Sequence, residues 1–193
     1  MKKWYHIFPA AFSVTECAEI VAESCKIPPT KASVWHGSAN TVNESIRKST
    51  VRWLCRHDEK WLNMFNRLEA LGREVNGKFF GFNLSHFESP QFTEYSATNE
   101  QHYNWHQDNT FVPSPEAYTP FDRKLSMVLQ CTPKDNYEGG ELWVNPSREQ
   151  KVEGFSEVGS LIVFPSFLWH KVTPVTKGVR HSLVCWHVGP RFS

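Results

Sequence analysis

With 193 residues, 40% apolar and 21% charged, the chain is long enough for one domain with a substantial core and has a globular rather than a disordered balance. A formal net charge of +1 excludes a global basic field that would recruit nucleic acid, and five cysteines with no CxxC pair argue against a disulfide framework or zinc knuckle and for free thiols in a reducing compartment. The opening segment 1–12 is too short and too polar for a signal-peptide core, and no apolar run reaches membrane-spanning length, so a cytoplasmic protein with no membrane partner is expected.

In chain order, the first predicted element is a helix. Ser13 and Glu16 form a capping-box pattern, and Val14, Cys17, Ala18, Val21 and Ala22 recur at helical spacing until Pro28-Pro29. Residues 30–57 read as irregular, with a short strand at Ser49–Leu54. A second helix is predicted from Asp58 to about Arg73 on the stripe Trp61, Leu62, Phe65, Leu68 and Leu71, with Gly72 and Gly77 loosening its end. From Lys78 short β-rich runs alternate with Pro, Gly and Asn: Phe79–Leu84, Gln91–Tyr95, Asn104–Asp108, Lys124–Gln130, Glu141–Val144, Ser160–Phe164, Trp169–Val172 and Arg180–Val188. This order predicts a mainly β single domain over 1–193, a sandwich or jelly roll at 78–193 with mainly helical support at 1–77.

Chemistry concentrates in three places. His106 and Asp108 stand two apart in a strand-like segment, which would put an imidazole and a carboxylate on one face; alone, such a pair is more often a surface hydrogen bond. His170 lies on an apolar strand, where the bland alternative is a satisfied core histidine. Ten residues later, an inward-facing Arg180 would need an anion; otherwise it is exposed or paired with an acid. On that last run Arg180, Ser182, Val184 and Trp186 share one face, a cation and a hydroxyl among apolar walls, suited to a small dicarboxylate. Two histidines and one carboxylate are also the facial set that leaves three iron positions open.

These residues resemble the 2-oxoglutarate/iron(II) oxygenases, in the prolyl 4-hydroxylase-like branch that includes the PKHD-type hydroxylases. The closest echo is the segment from His170 to Arg180, similar to that branch's H-[RK]-V-x-P-V-x-x-G-x-R. His106-Gln107-Asp108, Leu125-Ser126 and Tyr137-Glu138-Gly139-Gly140-Glu141-Leu142 support it. The resemblance implies a double-stranded β-helix (jelly roll, cupin-like) packed against N-terminal helices, with the strands bearing His170 and Arg180 in opposing sheets. It implies Fe(II) on His106, Asp108 and His170, 2-oxoglutarate on Arg180, dioxygen as oxidant and ascorbate as an auxiliary reductant. Ser182, Tyr95 and Trp186 are further cofactor-side candidates, although the spacing of Tyr95 from His106 departs from the family's. The implied reaction is hydroxylation of an unactivated C–H bond with release of succinate and CO2, and Asp108 favours hydroxylation over halogenation, which needs a small residue there.

For the substrate, a prolyl or other residue in a peptide or protein leads, and a free amino acid or other small molecule is the alternative. Trp105, Asn109 and Trp143 are candidate substrate contacts, as are the segments 109–123 and 35–48 for a lid. Nucleic acid is not expected, since the N-terminal half lacks a basic-aromatic recognition segment. The non-enzymatic alternative is a jelly-roll module that binds metal without turning over.

Overall fold

The computed structural model describes residues 4–32, 34–36, 39–109 and 120–191, and for 34–36 and 39–41 the backbone alone. β1 (His6–Phe8) leads to α1 (Val14–Ser24), where the Ser13 hydroxyl accepts from the Glu16 N–H at 3.2 Å and the Glu16 carboxylate accepts from the Ser13 N–H at 2.8 Å. That is the expected capping box. The expected short strand at Ser49–Leu54 is β6 (Thr50–Trp53 as observed), and the stretch before it, read as irregular, holds β2 (Thr30–Lys31), the hairpin β3 (Val34–His36) and β4 (Ala39–Thr41), and β5 (Arg47–Lys48). Two-residue strands are below what alternation in sequence can signal.

α2 (Leu62–Val75) buries Met64, Phe65, Leu68, Gly72 and Val75 at helical spacing. Gly72 does not loosen its end. It lies inside the helix, because a Cβ there would stand 2.3 Å from His187 Nε2 and 2.7 Å from Met127 Sδ. The predicted strand at Phe79–Leu84 is also corrected. The helix runs on as a π-helical turn over Asn76–Phe80, closed by Gly81 at φ +70°, and the Asn76 amide captures both the N–H and C=O of Phe82. A local side chain takes the backbone groups a strand would need.

The remaining strands are β7 (His86–Phe87), β8 (Gln91–Ser96), β9 (His102–His106), β10 (Phe121–Gln130), β11 (Tyr137–Gly139), β12 (Leu142–Asn145), β13 (Gln150–Lys151), β14 (Leu161–Pro165), β15 (Trp169–Val172) and β16 (Val175–Pro190). The larger sheet runs β1-β14-β10-β16-β8-β6-β2, with β7 and β11 also pairing β16. The smaller runs β13-β12-β15-β9-β5, and every pair is antiparallel. Two facing antiparallel sheets make the expected jelly-roll core, mainly β with flanking helices. Helical support and sheet do not divide at residue 77, however, since β1, β2 and β6 join the larger sheet and β5 the smaller.

Period-2 alternation sorts the larger sheet's side chains into two apolar layers. Leu125, Met127, Leu129, Leu161, Val163, Leu183 and Cys185 pack against Cys17, Ile20, Phe65 and Leu68 of the helices. Val128, Ile162 and Phe164 face Leu142, Val144 and Val172 of the smaller sheet. With both faces covered, β14 reads as an unbroken apolar run. Arg180, Ser182, Val184 and Trp186 fall on the face toward the smaller sheet, so the polar end of β16 opens into the gap between the sheets.

Candidate metal centre and co-substrate pocket

The gap holds a cavity of about 1000 Å³ lined by His106, Asp108, His170, Tyr95, Arg180, Ser182 and Trp186. β9 and β15 pair directly, with His170 opposite His106 in register. The two imidazoles lie 4.0 Å apart between ring centres. β9 ends at His106, so Asp108 is not on the strand as expected. It follows in a turn, held where its N–H donates to the Ser166 carbonyl at 2.8 Å. This turn brings Asp108 Oδ1 to 3.6 Å from His106 Nε2 and Oδ2 to 3.5 Å from His170 Nε2. The three ligand atoms lie within 4.8 Å of one another.

Those separations are long for hydrogen bonds and suit three ligands around one ion. The ring tautomers agree. His106 Nδ1 meets the Asn104 carbonyl at 2.8 Å and His170 Nδ1 meets the Leu168 carbonyl at 2.9 Å. A carbonyl only accepts, so each Nδ1 carries the proton and each Nε2 offers its lone pair to the centre. Burial, reinforced by His170, holds the His106 imidazole well below its usual pKa, hence neutral. Burial alone would raise the Asp108 carboxyl, but His170, His106, Arg123 and the Ser126 hydrogen bond outweigh it and keep the carboxylate ionised.

Asp108 is itself held. Its Oδ2 accepts from Ser126 Oγ at 2.6 Å and from the Trp186 indole N–H at 3.0 Å. Arg123, paired with Glu88 at 2.8 Å, lies 3.6 Å over the Trp186 ring. On the other side Tyr103 stacks on His106 with ring centres 3.4 Å apart, and Arg47 sits 4.6 Å over Tyr103. Trp186 therefore stands beside the triad. Sequence reasoning missed Arg123, Arg47 and Tyr103, which β-strand pairing brings in from distant parts of the chain.

Arg180 is 2% exposed, and its Nη1 is buried with no hydrogen-bond partner. Among the described residues no carboxylate pairs with it, so both bland readings of Arg180 fail. A buried guanidinium with an open donor facing a cavity calls for an anion. Tyr95 lies opposite Arg180 in the β8–β16 register, its ring 5.8 Å from the guanidinium carbon, and Ser182 lies on the same face. Burial raises the Tyr95 phenol, so it stays protonated and able to donate. Gly140, at φ +60°, leaves room for the arginine: a Cβ there would stand 2.9 Å from Arg180 Cδ.

A family model described as the 2OG-Fe(II) oxygenase superfamily matches residues 90–188, just over half of the chain, and spans His106, Asp108, His170, Arg180, Tyr95, Ser182 and Trp186. The chain belongs to that superfamily. Membership implies Fe(II), 2-oxoglutarate and dioxygen, and the residues present fit them: two imidazole nitrogens and a carboxylate suit ferrous iron, and the open Arg180 donor suits a carboxylate. The chain is similar to a PKHD-type hydroxylase of Alteromonas mediterranea, 41% identical over 98 residues that cover 50% of this chain and 42% of that protein. A PKHD-type hydroxylase of Nitrosomonas europaea is 34% identical over 121 residues, 62% of this chain and 50% of that one. The matched region thus spans half or less of these relatives' length.

Among solved structures, a Pseudomonas putida prolyl-4-hydroxylase superposes with a TM-score of 0.72 at 20% identity, over 98% of this chain and 94% of that one. A Trichoplax adhaerens prolyl hydroxylase, in complex with a hypoxia inducible factor peptide fragment, gives 0.72 at 16% identity, over 95% and 83%. These likenesses establish the shared oxygenase fold.

Of the candidate substrate contacts, Asn109 lines the cavity, and Trp105 borders it with its ring 4.5 Å from Lys171 Nζ. Trp143 is corrected. Its neighbours Leu142 and Val144 point into the core, so alternation turns Trp143 outward, where it lies 5.3 Å from Lys171 Nζ and donates to Glu141. The segment 110–119, part of one predicted lid, lies outside the described residues, as do 33, 37 and 38 of the other. Among the described residues no helix is long and apolar enough to cross a membrane.

Proposed function

We propose that this oxygenase hydroxylates an unactivated C–H bond of a prolyl or other residue in a peptide or protein, coupled to conversion of 2-oxoglutarate into succinate and CO2. The observation that carries the reading is one cavity holding both a His-His-Asp cluster and, on its facing sheet, a buried guanidinium with an open donor.

In this reading His106, Asp108 and His170 would hold ferrous iron. Ser126 and Trp186 occupy Asp108 Oδ2 with two donors and fix the carboxylate's orientation, leaving Oδ1 free to serve as a ligand atom. Arg180 binds the far carboxylate of 2-oxoglutarate, with Tyr95 and Ser182 as additional donors. When bound, iron and 2-oxoglutarate supply the oxidation, with one dioxygen atom going to the substrate carbon and the other to succinate. The protein orients the reactants and excludes water from them.

A peptide is favoured over a small molecule by the cavity's rim. Trp53 and Trp169 are each 48% exposed and Phe121 is 40% exposed, and all three line the opening. Exposed aromatics flanking a wide cleft suit an extended segment with apolar side chains better than a free amino acid. The Trichoplax adhaerens relative, whose structure holds a peptide fragment, supports the same reading.

The test is succinate release with Fe(II), 2-oxoglutarate and ascorbate against a peptide library. Peptide-stimulated turnover, with a mass gain of one oxygen on the peptide, is expected, and Asp108→Ala should abolish both. Turnover stimulated by free amino acids and by no peptide would refute the peptide reading. Failure of Fe(II) and 2-oxoglutarate to give a visible charge-transfer band anaerobically would refute the oxygenase site itself.

A further inference from the structure

A second ligand cluster lies outside the oxygenase cavity. Cys25, at the end of α1, Glu94 of β8 and His181 of β16 place Sγ, a carboxylate oxygen and a ring nitrogen within 4.8 Å of one another. His181 follows Arg180 in the chain, but alternation turns it to the opposite face of the sheet, toward the helices. We propose that these three side chains form a second metal site, for a thiophilic divalent cation of the zinc type.

Three observations carry the assignment. The His181 Nε2 to Glu94 Oε2 separation is 3.6 Å, beside N···O spacings of 3.6 and 3.5 Å in the His106-Asp108-His170 set. It is too long for a good hydrogen bond and close to the edge of a tetrahedron with metal–ligand bonds of about 2.0–2.2 Å. The far ring nitrogen is also held: His181 Nδ1 lies 3.3 Å from Thr132 Oγ1, while the same hydroxyl accepts the His181 backbone N–H at 2.8 Å. This partner on Nδ1 orients the ring so that Nε2 faces Cys25 and Glu94; because a hydroxyl can accept as well as donate, the tautomer with its lone pair on Nε2 is available to a metal. Finally, α1 ends at this point with no basic residue in its last turn, so the partial negative charge of its C-terminus adds to the thiolate and carboxylate.

Arg52 opposes the cation, since its Nη1 is 3.3 Å from Glu94 Oε2. Its guanidinium is fixed elsewhere as well, with Nε donating to the Ile27 carbonyl at 3.1 Å. Thiolate, carboxylate and guanidinium sum to one negative charge before a divalent ion arrives, so binding weaker than that of an all-anionic site is expected. Cys25 is exposed, so a fourth ligand position faces solvent. Sulfur is what separates this site from the oxygenase triad, which contains none, and thiolate ligation favours zinc-type ions over magnesium or calcium.

Two measurements test the site. In the native chain, zinc should slow alkylation of Cys25 about tenfold or more, while Cys55, also exposed, reacts unchanged. Equal Cys25 rates with and without zinc would overturn the proposal. In a chain whose oxygenase triad is disabled by His106→Ala and His170→Ala, cobalt(II) should give a near-ultraviolet thiolate-to-metal band. Adding Cys25→Ser should remove that band, and His181→Asn should weaken cobalt binding about tenfold or more. No band, or one that survives Cys25→Ser, would overturn the proposal.

Discussion

His187 gives the sharpest energetic prediction. It is fully buried between the larger sheet and α2, against Gly72 and the Phe87 ring, and neither ring nitrogen has a hydrogen-bond partner. Burial, with Arg73 adding repulsion, pushes its pKa from 6.5 down to about 4. The folded state therefore binds fewer protons than the unfolded state between these values. Stability contributed by the neutral ring is complete above about pH 6.5 and is lost as pH falls toward 4. At about 1.4 kcal/mol per pH unit the loss reaches about 3 kcal/mol. In His187→Leu that component disappears, so urea melts at intervals from pH 7.5 to 4 should show the wild type losing about 3 kcal/mol more than the variant. At pH 7 the variant should be no less stable, because leucine leaves no unpaired ring nitrogen in the core. Parallel stability curves for the two proteins would refute the reasoning, whatever their absolute values.

Three further outcomes follow from the site. Arg180→Gln removes two charge-assisted hydrogen bonds, about 3–6 kcal/mol at their usual strength, and should raise the 2-oxoglutarate KM more than about 100-fold while Fe(II) binding persists; an unchanged KM would place the carboxylate elsewhere. Trp186→Phe keeps an aromatic side chain, smaller than the indole, but removes the N–H that holds Asp108 Oδ2, and calorimetry should show Fe(II) bound about 10–100-fold more weakly. Gly140→Ala forces a Cβ to within 2.9 Å of Arg180 Cδ and Val175 Cγ2 at a left-handed φ, so thermal melts should show a loss of about 2–4 kcal/mol and 2-oxoglutarate titration a weaker affinity.

By itself, the sequence determined the α1 cap, the α2 helix with Phe65 and Leu68 on its buried stripe (Leu62, assigned to that stripe, is exposed), the seven principal strands and the alternation that sends Arg180, Ser182 and Trp186 into one cavity. Each of these follows from a local period or a local hydrogen bond, which a linear string records. The motif from His170 to Arg180 also marked the family, and with it the opposing sheets. The tertiary structure alone decided that Asp108 reaches the cluster from a turn beyond β9, held by Ser166, and that Arg123 and Arg47 act through the rings of Trp186 and Tyr103. It ended the supposed strand at Phe79–Leu84 on the Asn76 side chain and gave Gly72 its role under His187. All of these depend on contacts between residues far apart in the chain or on a side chain competing for backbone groups. No period or propensity encodes such contacts, and the spacing between Cys25, Glu94 and His181 belongs to the same class.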